Sequence, residues 1–119
     1  MLKIQTQMMI MKTIKTVTTT SRKHVYATMH IDGTPKKFQI DRGASCNVIP
    51  VNKLKGINYE LTKSSTVLTT YNKSEILPLG KTTLRLMNPK NGNTHKVNFV
   101  VVKQDRTSIL ENQVIQNMN

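Results

Sequence analysis

Asp41 is the acidic residue whose surroundings are best suited to chemistry. The 119-residue chain has only six acids, which are Asp32, Asp41, Glu60, Glu75, Asp105 and Glu111. Asp41 ends a predicted apolar strand and is followed by Gly43 and Ala44. Gly43 permits a backbone conformation closed to other residues, and Ala44 leaves room for a substrate backbone or a facing chain. Such an acid either caps its own turn or shares a proton with a second, facing carboxylate and activates a water.

The other chemistry-bearing side chains form no recognisable site. Cys46 is the single cysteine, which excludes an internal disulfide framework and a cysteine-cluster zinc site. It has no catalytic signature with a histidine, so we expect a buried or half-buried thiol. His24, His30 and His95 lack a ligand spacing such as His-x-x-x-His, and no glycine-rich phosphate loop is present. We therefore expect neither a metal nor a cofactor.

Short strands must position these residues. Val25, Ala27, Met29 and Ile31 alternate with polar residues, which predicts a half-buried strand. Asp32-Gly33 predicts a hairpin turn, and the returning strand delivers Asp41. Later patterns predict strands near residues 67–68, 76–77, 84–86 and 97–102, a turn at 51–55, a hairpin tip at 71–74, a turn at 88–93 and a helix at 111–118. The sequence thus predicts a small all-β domain over residues 24–119 with one short C-terminal helix. Residues 1–23 are predicted to be a linker or an accessory strand.

The chain is strongly basic, with 18 Lys and Arg residues and a net charge of +12. That charge suits attraction to phosphate backbones, but an aromatic content of 4% offers few platforms for stacked bases. A solvated basic surface and a basic nucleic-acid-binding β domain both stay open. A single cysteine fits a reducing compartment, and no apolar run near the start is long enough for a bilayer. Residues 1–20 do not read as a secretory signal, although their composition leaves a transit peptide open. We expect an intracellular, cytoplasmic chain without membrane contact.

Residues 38–49, with the sequence FQIDRGASCNVI, resemble the active-site turn of retropepsin-like aspartic proteases of Ty3/Gypsy-type retrotransposon polyproteins. The family pattern is two apolar residues followed by Asp, Ser or Thr, Gly and Ala. Residues 24–40 resemble the strands before the catalytic Asp, and residues 68–80 resemble the flap hairpin. Residues 96–102 and 107–118 resemble the closing strands and the terminal helix. The resemblance therefore covers residues 24–118.

This resemblance implies a retropepsin-like closed β-barrel, which is half of a pepsin-like enzyme and acts as a homodimer without a cofactor. It implies Asp41 as the catalytic residue, one from each chain. The substrate would be an extended segment of a retroelement polyprotein, bound as an added strand in the cytoplasm or within a retroelement particle. The implied substrate-binding positions are Gly43, Ala44 and Ser45 beside the acid, Thr70, Tyr71, Asn72 and Lys73 at the flap tip, and Ile109 on the cleft wall.

Two departures from the family pattern bear on activity. Arg42 stands where the family has Ser or Thr, and it brings five donors, no acceptor and a permanent charge. Two Arg42 side chains near a dimer axis would repel each other and hold both Asp41 carboxylates ionised, unless each guanidinium reaches solvent along its stem. Glu111 replaces a Gly behind the active site, where a buried charge is costly. These departures, and an end at Asn119 soon after the helix, predict a retained fold with weak or absent activity. A catalytically inactive retropepsin-like dimerisation module is the resulting alternative.

Overall fold

The computed structural model describes residues 24–69 and 75–119. Within them, strands and one short helix follow in this order: β1 Val25–Ile31, β2 Thr34–Asp41, β3 Asn47–Pro50, β4 Leu68–Thr69, β5 Glu75–Ile76, β6 Gly80–Met87, β7 Thr94–Val102, β8 Ile109–Glu111 and α1 Asn112–Met118. A 3-10 turn spans Val51–Leu54. The predicted all-β domain with one C-terminal helix is confirmed. The predicted linker or accessory strand at residues 1–23 lies outside the described residues.

Six of the strands close into a barrel in the order β1, β2, β8, β3, β7, β6, with β6 pairing back onto β1. The β2–β8 and β3–β7 pairs are parallel, whereas β1–β2, β3–β8 and β6–β7 are antiparallel. β4 and β5 form a separate two-stranded sheet. The short strands β8 and β3 thus lie between the longer strands β2 and β7. β8 pairs with the end of β2, and β3 begins after the turn that follows β2.

The β1–β2 hairpin follows the predicted turn. Asp32 and Gly33 have φ angles of 51° and 78°, which is the left-handed conformation that a tight Asp-Gly hairpin turn uses. The hairpin register runs from Ile31 opposite Thr34 to Val25 opposite Ile40. The inward alternation of β1 holds for Met29 and Ile31 but fails at Val25, which is 63% exposed.

The core is built from the inward faces of the barrel. The rings of Phe38 on β2 and Phe99 on β7 lie 5.7 Å apart between centroids, and both side chains are fully buried. β6 alternates buried and exposed residues along its length, as a strand with one face on the core should. The last four residues of β7 are all buried, as predicted, because this end of the strand packs on both faces.

The end of α1 is held by the turn between β6 and β7. The side-chain amides of Asn88, Asn91 and Asn93 all donate to the backbone carbonyl of Met118, at 3.3, 3.0 and 3.4 Å. The terminal carbonyls of a helix have no partner within the helix, so these amides satisfy one that would otherwise lack one. The Met118 side chain is itself buried in the core. The predicted turn at residues 88–93 therefore also anchors the C-terminus of the barrel.

Candidate active site

Asp41 is the last residue of β2 and is 2% exposed. The backbone N–H of Gly43 donates to its Oδ1 at 2.8 Å, and the N–H of Ala44 donates to its backbone carbonyl at 3.3 Å. The strand therefore ends in a tight turn that fixes one oxygen of the carboxyl group. The hydrogen bond to Gly43 is the pattern by which Asp side chains close their own turns.

The protonation of Asp41 is set by opposing effects. Burial raises the pKa of its carboxyl above the ordinary value, because a charged carboxylate loses hydration in the interior. The backbone N–H groups of Gly43 and Ala44 lower the pKa in the opposite sense, and so does the positive charge of His24. His24 directly precedes Val25, whose register partner is Ile40, so it comes next to Asp41 across the hairpin. Burial prevails, so the pKa of the Asp41 carboxyl lies above its ordinary value.

The turn after Asp41 brings some of the predicted residues together. Ala44 is buried, Gly43 is half-buried, and Arg42 and Ser45 are exposed. The glycines with positive φ in the described residues are Gly33, Gly56 and Gly92. The expectation that Gly43 supplies a conformation closed to other residues is therefore wrong. Its N–H donates to the Asp41 carboxyl without a left-handed backbone.

An apolar cluster lies beside this turn. It joins Ala44 and Ile109 to residues from β3, β7 and the β4–β5 hairpin, and its other members are Val48, Leu68, Ile76, Val100 and Val102. Two predicted cleft residues, Ala44 and Ile109, thus lie in one cluster with the base of the hairpin predicted to be a flap. The remaining predicted flap residues, Thr70, Tyr71, Asn72 and Lys73, lie outside the described residues.

Arg42 and Glu111 sit differently from one another. Arg42 is exposed on this chain, so its guanidinium has the route to solvent that its position requires. Glu111 is half-buried and is the register partner of Asp41 in the parallel β2–β8 pair. Burial raises the pKa of the Glu111 carboxyl. Asp41 and Glu111 are therefore directly opposite each other on neighbouring strands of the barrel.

Asn47 is the residue of this region that sequence reasoning missed. Its side chain is 5% exposed; its Nδ2 donates to the carbonyl of Asn98 at 2.9 Å, and its Oδ1 accepts from the N–H of Glu111 at 2.8 Å. One amide group therefore ties β3 to β7 and to β8. No local signal in the sequence announces this, because both partners lie more than fifty residues along the chain.

The remaining candidate nucleophile is Cys46, and the candidate metal ligands are His24, His30 and His95. Cys46 is a half-buried free thiol, as predicted. Burial raises the pKa of that thiol and the charge of Glu111 raises it further, so it is protonated at neutral pH and is a poor nucleophile. Across residues 24–69 and 75–119, no group of three or more His, Cys, Asp or Glu side chains could hold a metal ion. In the same residues, no helix is long and apolar enough to cross a membrane.

Known structures resemble this barrel, although neither a protein-family model nor a curated protein sequence matches the chain. The EIAV protease in complex with the inhibitor HBY-793 superposes with a TM-score of 0.64 at 20% identity, over 82% of this chain and 90% of that one. A retropepsin-like aspartic protease from Rickettsia conorii gives a TM-score of 0.57 at 19% identity, over 82% of this chain and 74% of that one.

The barrel is a retropepsin-like fold. The predicted fold class is thereby confirmed. At this level of identity the likeness speaks for the fold, and the roles of individual residues rest on the geometry of Asp41 and its turn. In the retropepsin-like barrel of this chain, the carboxyl group expected to be catalytic is buried, held by one backbone donor and set beside an apolar cluster.

Proposed function

We propose that the chain is an aspartic endopeptidase that works as a homodimer and cleaves extended peptide segments of a retroelement polyprotein. The observation that carries the proposal is the Asp41 carboxyl group, 2% exposed and with its Oδ1 fixed by the Gly43 N–H at 2.8 Å. Each chain contributes one Asp41 to the proposed pair, so the proposal requires two copies of the chain. Two Asp41 groups facing each other would share one proton, because like charges that close cannot both ionise.

The reaction follows from that shared proton. The ionised Asp41 takes a proton from a water molecule as the water oxygen bonds to the scissile carbonyl carbon. The protonated Asp41 of the partner copy gives its proton to the carbonyl oxygen, which leaves a neutral gem-diol. A proton then passes to the amide nitrogen, the C–N bond breaks, and the products are a free amine and a carboxylic acid. The pKa of Asp41, raised by burial, supports this role because one of the two groups must hold a proton.

The substrate would lie along the apolar cluster. Gly43, Ala44 and Ser45 would contact it beside the acid, and Ile109 would form part of the wall, because Ala44 and Ile109 already share that cluster. The flap would be the hairpin whose base is β4 and β5, with Thr70, Tyr71, Asn72 and Lys73 at its tip. An extended peptide bound by main-chain hydrogen bonds fits a cleft edged by strands.

A second candidate function has an observation of its own. Arg42 follows Asp41 directly and carries a permanent charge where a hydroxyl would brace the turn. If the dimer brings two guanidinium groups to its axis, both carboxylates stay ionised and the shared proton is lost. The chain would then be a retropepsin-like dimerisation module that keeps the fold without the chemistry.

Peptidase activity and oligomeric state decide between the two. The full 119-residue chain is incubated with a mixed-sequence peptide library from acid to neutral pH, and new termini are identified by mass spectrometry. Sedimentation of the same samples reports the dimer. Cleavage that is strongest in acid, appears only with dimer and is absent in Asp41→Asn supports the endopeptidase. A dimer with no cleavage favours the module, and a strict monomer at all concentrations contradicts both.

A further inference from the structure

The outward face of the β6–β7 hairpin is basic. On β6 the buried residues alternate with exposed Lys81, Thr83 and Arg85, and on β7 Lys96 and Asn98 are exposed. In the register of the hairpin, Arg85 lies opposite Lys96 and Thr83 lies opposite Asn98. We call these five residues, Lys81, Thr83, Arg85, Lys96 and Asn98, the β6–β7 outer face.

This arrangement opposes the stability of the hairpin. Like charges directly opposite each other on neighbouring strands are destabilising, and Arg85 and Lys96 form such a pair. Lys81 is on the same side of β6, four residues before Arg85. An anion bound across these cations would offset the repulsion between them.

Neutral donors lie between the cations. Thr83 Oγ1 donates to Asn98 Oδ1 at 2.7 Å, which fixes the side-chain amide of Asn98 and turns its Nδ2 into an oriented donor. The backbone carbonyl of Asn98 is held in turn by Asn47 Nδ2 at 2.9 Å. The middle of the face is therefore rigid, and it offers hydrogen-bond donors between positive charges.

Two clefts flank the face. One of about 420 Å³ lies toward β3 and α1, and its polar lining includes Ser64, Thr66, His95 and Glu111. The other, of about 650 Å³, lies toward residues 58–62 and includes Tyr59, Thr62 and Glu60. Lys81 and Asn98 line both clefts, so a chain crossing the face can reach from one into the other. Each cleft holds one acid, which limits how much negative charge can enter it.

We propose that the β6–β7 outer face binds the phosphate backbone of a nucleic acid without regard to sequence. Lys, Arg, Thr and Asn side chains are the groups that contact phosphate oxygens, and they make up the whole face. A protein partner would need apolar or aromatic anchors at the centre of its interface, and the face presents none. The net charge of +12 adds long-range attraction of the same sign.

The inference is independent of peptidase activity, and salt-dependent binding tests it. Fluorescence anisotropy of a labelled oligouridylate is measured with the full-length chain between about 50 and 200 mM salt. Each phosphate contact contributes about 0.7 to the slope of log affinity against log salt for single strands, so Arg85→Gln/Lys96→Gln should lower that slope by about 1.4. It should also weaken binding at least about tenfold at the lower salt concentration.

The matched control is Lys53→Gln/Lys55→Gln. It removes the same net charge from exposed positions after β3, near Pro50, which pairs with Val102 at the opposite end of β7 from Lys96. Both variants keep residues 1–23, so any binding by that segment is common to all samples. Selective loss of affinity and slope in the Arg85/Lys96 variant supports the proposal, with circular dichroism verifying that both variants fold. Equal loss in both variants or no binding by the parent chain would overturn it. Competition by polyglutamate as strong as that by unlabelled oligouridylate would also overturn it.

Discussion

Asp41 and Glu111 are register partners on the parallel strands β2 and β8, so the carboxyl group of the turn has a second acid on the neighbouring strand. Burial raises the pKa of both carboxyls. The partly buried surroundings of Glu111 therefore disfavour its ionised form. The charge of Glu111 also raises the pKa of the Cys46 thiol, and both residues line the cleft of about 420 Å³.

Removing the charge of Glu111 should stabilise the fold at neutral pH. A carboxyl whose folded pKa exceeds its unfolded value costs stability once pH rises above the unfolded value, and this cost is complete above the folded pKa. Glu111→Gln should thus have a higher free energy of unfolding than the parent at pH ~7 and an equal one at pH ~3. Urea denaturation at both pH values measures it. A gain that persists at the acid pH would show that packing, not charge, is responsible.

Asp41→Asn should separate chemistry from stability. Loss of one acid–base group lowers the rate by about 10²–10⁴-fold, so peptide cleavage should fall by at least that factor. The Asn Oδ1 can still accept from the Gly43 N–H, and the buried charge is gone. By the same sign of linkage as for Glu111, the variant should unfold at higher urea than the parent at neutral pH but not in acid. Lost activity together with lower stability at neutral pH would instead indicate a structural Asp41.

Arg42→Ser should increase peptidase activity and move its pH optimum upward. Removing a permanent positive charge beside Asp41 raises the pKa of any carboxylate that the guanidinium stabilises, and the pair then retains its proton to a higher pH. Because Arg42 is exposed, we expect a stability change within about 0.5 kcal/mol. Initial rates across pH for the parent and the variant test this. Arg42→Lys keeps the charge and should behave like the parent; if it matches Arg42→Ser, the charge is not the cause.

Asn47→Ala should destabilise the barrel far more than its single amide suggests. The substitution leaves the Asn98 carbonyl and the Glu111 N–H without their partner in a nearly buried place, and each orphaned group costs about 1–3 kcal/mol. Thermal and urea unfolding measure the loss. Asn98→Ala is a useful control, because its backbone carbonyl still accepts from Asn47 and only the Thr83 contact is lost. Equal effects of the two substitutions would contradict the tie between strands.

The parts of this fold that could be predicted are those specified by patterns among residues close together in the sequence. The β1–β2 hairpin follows from alternation and an Asp-Gly turn, and the long strands β6 and β7 follow from their buried faces. β3 and β8 have four and three residues and pair in parallel with segments far along the chain, so their own residues carry too little pattern. The resemblance to a known family, rather than periodicity, pointed to β8.

The candidate site divides in the same way. Asp41 and its turn could be found because a strand, an acid and two small residues are consecutive. The bridging amide of Asn47 and the pairing of Asp41 with Glu111 depend on closure of the barrel, which no local pattern encodes. Gly43 shows the opposite error, because a glycine in a tight turn suggested a backbone conformation closed to other residues, whereas its φ angle is not positive.

Gly80, the first residue of β6, lies against residues 61–62. A Cβ atom there would stand 2.5 Å from the backbone carbonyl oxygen of Thr62 and 2.8 Å from the Leu61 side chain. Thr62 and Lys81 exchange backbone hydrogen bonds of 2.9 and 2.8 Å at this point, so the carbonyl cannot move without breaking one. Gly80→Ala should therefore destabilise the chain by about 1–3 kcal/mol, as overpacking does.

A second substitution tells which neighbour resists. If the backbone carbonyl is the obstacle, Leu61→Ala should not restore the stability of Gly80→Ala, because the oxygen stays in place. The Leu61 side chain is 43% exposed, so Leu61→Ala alone should have a small effect. Urea unfolding of the parent, both single variants and the double variant forms a complete cycle. Full recovery in the double variant would assign the conflict to the side chain, and the close approach of the two backbones would then place no constraint on residue 80.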